Sequence, residues 1–139
     1  MRCDTYEFQI NTHGCALYDL THSVKKWLSQ LNISTGQITI FCPHTSCSLT
    51  IQENADPDVQ KDLINFFRQL VPENEPWYRH VLEGPDDMPA HIKSSLTDIS
   101  LTIPILNGHL ALGTWQAIYL FEHRTQPHHR RLILSYMGS

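Results

Sequence analysis

From Thr5 to Thr12 the apolar side chains of Tyr6, Phe8 and Ile10 alternate with Glu7, Gln9 and Asn11. A period of two predicts a strand with one buried face. After Asp19 the spacing changes. Leu20, Val24, Trp27, Leu28 and Leu31 recur at the intervals of an amphipathic helix, with Asp19 or Thr21 as its cap, before Gly36 breaks the chain. Gln37–Cys42 reads as a second strand and Thr45–Ile51 as a third. In the third, Cys47, Leu49 and Ile51 face one way, while Ser46, Ser48 and Thr50 share the other parity with His44. A strand regular from its start sets His44 at the head of this row of hydroxyls.

Asp56 followed by Pro57 predicts a helix start, with the acid as cap and the proline in the first turn. Its apolar stripe is Val59, Leu63, Phe66, Phe67 and Leu70, and Pro72 helps to stop it. Pro72 to Pro85 has no periodicity. An irregular stretch of about 14 residues is long for a compact domain, and such loops are often functional. This one contains Trp77, Tyr78 and His80. Asp87 with Pro89 predicts another helix start. Asp98–Ile105 alternates again, and Asn107-Gly108 predicts a two-residue type I′ hairpin turn. That register sets Leu106 opposite His109, Ile103 opposite Leu112, Leu101 opposite Thr114 and Ser100 opposite Trp115. Leu110, Leu112, Thr114 and Gln116 then share one face, and Ala111, Gly113 and Trp115 the other. A last strand covers Arg131–Met137. About six or seven strands with two or three helices, ending in antiparallel strands, argue for an α+β fold.

Composition narrows the function. The 139 residues suit a single domain, 1–139, and 41% hydrophobic with 17% charged residues is ordinary for a globular protein. A formal charge of −4 speaks against general nucleic-acid binding. No apolar run is long enough to span a bilayer, and the N-terminus lacks a signal-peptide core, so a cytoplasmic protein is expected. The four cysteines have no C-x-x-C spacing, which points to free thiols in a reducing compartment. The basic stretch Glu122 to Arg131, EHRTQPHHRR, is either a solvated loop or a phosphate-binding one.

The densest chemistry lies in DDMPAHIKSS, Asp86 to Ser95. On a helix, Asp87 and His91 sit four apart on one face, which Ser94 and Ser95 share with His91, while Lys93 points elsewhere. Taken alone, the stretch reads as a solvated helix capped by Asp87. Beside His44 and His80 it also reads as one wall of a site. Three histidines from a strand end, a loop and a helix start, with water, make an open site for zinc or a similar metal. Glu53 has no evident structural duty and could line the same cleft. Gln116, on an apolar face, must be hydrogen-bonded to neighbouring backbone or reach into a site or interface. Trp115, flanked by Gly113 and Ala117, is expected to be packed.

The segments PHTSCSLTIQENADPDVQ, DDMPAHIKSS and GHLALGTWQAIYLFEHR together resemble the YjbQ family, UPF0047. The resemblance covers nearly the whole chain. It implies a two-sheet sandwich of about seven strands, a homotrimer, and a secondary thiamine-phosphate synthase activity. That reaction joins an aminopyrimidine methyl diphosphate to a thiazole phosphate and releases pyrophosphate. The family's histidines carry over as His44, His80 and His91. Ser46 and Cys47 depart from the commoner HTT-A pattern, as Gln52 does before Glu53-Asn54, which affects pocket shape rather than ligands. Pyrophosphate departure needs positive charge, for which Lys93, Arg124, Arg130 and Arg131 are candidates, with Ser94 and Ser95 as donors to phosphate. Mg²⁺ would prefer the oxygens of Asp86, Asp87 and Glu53, whereas imidazoles suit zinc, nickel or iron. Two further readings follow. One is a metal-dependent hydrolase of a small phosphorylated or cyclic substrate, with Asp87 or Glu53 as base. The other is a non-enzymatic trimeric module that binds a metal or small anion.

Overall fold

The computed structural model describes all residues, Met1 to Ser139. In chain order the elements are β1 (Arg2–Thr12), β2 (Ala16–Asp19), α1 (Thr21–Ser29), β3 (Gly36–Phe41), β4 (Cys47–Glu53) and α2 (Pro57–Leu70), then α3 (Asp87–Leu96), β5 (Ser100–Leu106), β6 (His109–Leu110), β7 (Gln116–Glu122) and β8 (His128–Gly138). Every strand pair is antiparallel. One sheet has five strands in the order β1-β8-β3-β5-β6, and the other has three, β2-β7-β4. The fold is the expected α+β sandwich of two sheets. The strand that raises the number to eight is β2, whose four residues are too few to display a period.

The core follows from parity. Ile38 and Ile40 of β3, Ile103 and Ile105 of β5, and Leu132, Leu134 and Tyr136 of β8 are all buried. They join Leu49 of β4, Ile118 and Leu120 of β7, and Leu20, Val24, Trp27 and Leu28 at α1 in one cluster. Strand β7 is buried on both faces. Its other parity, Ala117, Tyr119 and Phe121, forms a second cluster with Leu17, against which Ile64 and Phe67 of α2 pack. Phe67 meets Phe121 edge to face at 5.6 Å, a favoured aromatic geometry.

Asp56 caps α2 as expected, its carboxylate accepting from Asp58 N at 2.9 Å with Pro57 in the first turn. The α2 stripe is less buried than its spacing implies, because Phe66 and Leu70 face outward while Ile64 packs inward. The type I′ turn is present, with Asn107 at φ 52° and Gly108 at φ 80°, and Leu106 pairs with His109. The long hairpin beyond it is not formed. Pairing ends at Ile105 with Leu110. Ala111 N still donates to Pro104 O at 2.9 Å, but a proline has no N–H to return. The chain then leaves this sheet, and Gln116–Glu122 enters the other one between β2 and β4. Leu112, Thr114 and Trp115 therefore do not oppose Ile103, Leu101 and Ser100, whose partners are Ile38, Ile40 and Phe41 of β3. Trp115 is 63% exposed, so the chain's own core does not pack it. No helix is long and apolar enough to cross a membrane.

Candidate functional site

The start of α3 meets the irregular loop before it and the turn after β7. Asp87 does not cap α3: the helix has no side-chain cap, and Asp87 is its first residue. Its carboxylate is committed instead to three other side chains. Oδ1 accepts from Arg124 Nη1 at 2.7 Å. Oδ2 lies 2.6 Å from His80 Nε2 and 3.2 Å from His91 Nε2. The three groups form a cluster with one ligand atom each, all within 4.8 Å of one another. Asp87 is only 2% exposed, while His91 is half-buried and His80 exposed, so the cluster opens to solvent on the histidine side.

Arg124 fixes this arrangement from behind. Besides Asp87 it holds Asp86 through Nε at 2.9 Å and the Glu83 carbonyl through Nη2 at 2.9 Å. Asp86 Oδ2 also accepts from Thr125 N at 2.9 Å. Burial pushes both aspartates up, but these donors and charges outweigh it and hold both carboxyls below the usual range. An ionised Asp87 can only accept, so both imidazoles donate Nε2–H to it. Two imidazole nitrogens and one carboxylate oxygen are a donor set suited to zinc or another late divalent metal. A cation held by these three donors would take the place of the two shared protons.

His44 is not part of this cluster. It lies in the β3–β4 connection, before β4 begins at Cys47, and its Nε2 accepts from Arg131 N at 2.9 Å. Burial and the nearby Arg130 charge lower its pKa, which suits an acceptor nitrogen. It does share an open groove of about 400 Å³ with His91, Ser94, Ser95 and Thr97. Ser94 and Ser95 spend their hydroxyl protons on the carbonyls of Cys47, at 3.1 Å, and His91, at 3.0 Å. Lys93 lies on the other flank of α3, in a separate cavity.

Glu53 and Gln116 pair with each other at the end of β4 opposite Cys47, whose carbonyl meets α3 through Ser94. Six strand steps separate the two ends, roughly 20 Å. Neither residue is brought to the triad. Glu53 Oε2 accepts from Asp56 N at 3.1 Å, and Gln116, exposed rather than buried, accepts from Gly113 N at 2.7 Å. These are local backbone duties.

In the stretch Glu122 to Arg131, the tip at Thr125 to Pro127 is exposed while the flanking residues are committed within the fold. Glu122 is buried and bound by Arg130 Nε at 2.7 Å and Nη2 at 2.5 Å, and by Thr12 Oγ1 at 2.6 Å. Arg131 pairs with Glu7 at 3.3 Å. His123 is buried with its Nε2 on Ser48 Oγ at 2.8 Å. Sequence reasoning missed this group, although Glu122 continues the inward parity of Ile118 and Leu120. All four cysteines are free, and Cys42 and Cys47 touch within the core, Sγ to Sγ 3.4 Å.

The family described as "UPF0047 protein YjbQ-like" matches residues 6–139. The UPF0047 protein sll1880 of Synechocystis is 52% identical over 93% of this chain and 88% of its own length. The protein called YjbQ in Escherichia coli O157:H7 is 45% identical over 76% of each chain. A crystal structure of an uncharacterised conserved YjbQ/UPF0047 protein from Clostridium acetobutylicum superposes with a TM-score of 0.88 at 39% identity, covering 95% of this chain and 99% of that one. A YbjQ-like protein from Sulfolobus solfataricus, 20% identical, shares the fold with a TM-score of 0.85 over 99% of this chain.

Proposed function

The chain belongs to the UPF0047 (YjbQ-like) family, and from the cluster it carries we propose that it is a metal-dependent enzyme acting on a small phosphorylated substrate. The observation that supports this is the convergence of His80 Nε2, His91 Nε2 and Asp87 Oδ2 at an open edge beside a groove. A divalent cation held by His80, Asp87 and His91 would supply Lewis acidity for a phosphoryl oxygen and lower the pKa of bound water. Arg124 keeps Asp87 ionised and aimed. Asp87 orients both rings. His44, whose Nε2 accepts from Arg131 N, lines the same groove as a neutral ring and can donate Nδ1–H to a substrate oxygen.

Zinc measured in untagged protein should be near-stoichiometric and lost in His91→Ala, and a panel of phosphate esters should be hydrolysed only by the loaded wild type. A protein purified without any transition metal, and unable to take one up, would end this reading.

The second reading is the thiamine-phosphate synthase reaction with Mg²⁺. It needs cations free to meet pyrophosphate, and Arg124, Arg130 and Arg131 are already paired with carboxylates. Lys93 has no such partner, and that supports it. Thiamine phosphate formed from the two substrates by wild type but not by Lys93→Met would favour it over hydrolysis. Ligand affinity without turnover of either kind would leave only the binding-module reading. We place the enzyme in a reducing cytoplasm, where its free thiols are stable. We also propose a homotrimer, because Phe66, Leu70, Leu106 and Trp115 leave apolar surface unpaired. Sedimentation at micromolar concentration showing only monomer would contradict it.

A further inference from the structure

A cavity of about 390 Å³ lies on the flank of α3 away from the two histidines. Lys93 lines it, its side chain mostly buried but its ammonium open to the cavity, where it forms no ion pair and no hydrogen bond. His123 lines the same cavity, 2% exposed, and its Nδ1 is the one buried side-chain polar atom with no partner.

Thr97 has one hydroxyl proton for the Lys93 carbonyl at 2.8 Å and Ser48 Oγ at 2.6 Å, and Ser48 Oγ lies 2.8 Å from His123 Nε2. Nε2 is thus engaged from behind, and only Nδ1 of the ring is left without a partner. An ammonium that lacks an acceptor in such a cavity is complementary to an anion.

The charges around them agree. Arg68 also lines the cavity and is bound only by Asn65. Of the acids there, Asp86 is already taken by Arg124 and Thr125, which leaves Glu73 alone against two cations. We propose that this cavity binds the phosphate group of a small metabolite, with Lys93 Nζ as its inner donor, His123 beside it and Arg68 at the mouth. Burial and the Lys93 charge push the His123 pKa down to about 3, so the ring stays neutral. Val71, Pro72 and Pro89 complete the wall and exclude water from one side.

The assignment deepens the synthase reading through Lys93 but does not rest on it, since it is tested by binding without turnover. The full chain is stripped of metal with a chelator and titrated with inorganic phosphate while the histidine ring nitrogens are followed by ¹⁵N NMR. The His123 resonances should shift saturably and by more than those of His80 and His91. Lys93→Met should weaken binding by roughly tenfold or more, and Lys61→Met, on the exposed side of α2, should leave it unchanged. Phenyl phosphate binding more tightly than inorganic phosphate identifies an ester as the ligand, and equal binding identifies free phosphate; either upholds the site. No saturable His123 shift up to about 50 mM phosphate, or shifts at His80 and His91 alone, overturns it. Should Lys93→Met fail to fold, the wild-type His123 titration decides.

Discussion

Arg124 satisfies two carboxylates that the chain buries side by side, and the triad depends on it. Removing the guanidinium in Arg124→Met leaves Asp86 and Asp87 charged and short of donors. The expected loss is about 3–5 kcal/mol of stability, read from denaturant unfolding. Metal affinity should fall roughly 10- to 100-fold, as when a partner behind a ligand is lost. His80 and His91 were legible in the sequence because a long loop and a helix start place imidazoles where chemistry is common. Asp87 was legible by its i,i+4 spacing but read first as a cap. The carboxylate turned toward Arg124 because a guanidinium 37 positions away was available to it, and separation along the chain hides such a partner. His44 was misread for a related reason. Its backbone is not yet strand, and its ring nitrogen answers the Arg131 amide across 87 positions.

At the scale of elements, regular alternation predicted β1, β3, β4 and β5 to within a few residues. Where burial is two-sided or the strand is short, alternation vanishes. Strand β7 is apolar on both faces, so its sequence gave no sign of which sheet it joins, and β8 opens with His128 and His129, which mask its first turns of pairing. The β5–β6 turn was predicted from Asn107-Gly108 alone, and its geometry makes a sharp test. Gly108 has φ 80°, and an added Cβ would lie 3.0 Å from Ile33 O. Gly108→Ala should cost about 1–2 kcal/mol, the penalty of a left-handed conformation for a residue with a side chain. It should shift the urea midpoint with the slope unchanged. An equal midpoint would mean that the loop before β3 yields freely.

For the whole molecule, acid stability follows from titratable groups that the fold removes from water. His123 is held neutral, with a folded pKa of about 3 against about 6.5 when unfolded. Its pKa is depressed, so below about pH 6.5 the unfolded chain takes up a proton that the folded chain refuses. Stability is therefore full above that value and falls as pH drops toward 3, by up to about 1.4 kcal/mol per pH unit. His44, also lowered, acts in the same direction. Asp86, Asp87 and Glu122 have depressed pKa values too. Their stabilisation is present above the unfolded carboxylate range near pH 4 and is lost only below it. Between about pH 6 and 4.5 the slope should thus belong to histidine. His123→Gln should flatten that window while leaving the loss below about pH 4 intact. A variant as steep as wild type there would show that His123 titrates normally.

Asp86 borders the Lys93 cavity, Asp87 carries both imidazoles, and one guanidinium grips the pair. Charge added on one side of α3 is therefore felt on the other through a single side chain. Such linkage is reciprocal by thermodynamic necessity. By whatever factor a cation at the triad alters phosphate affinity in the cavity, phosphate alters cation affinity by the same factor. With both proposed sites filled, the two flanks of one ten-residue helix would answer to each other.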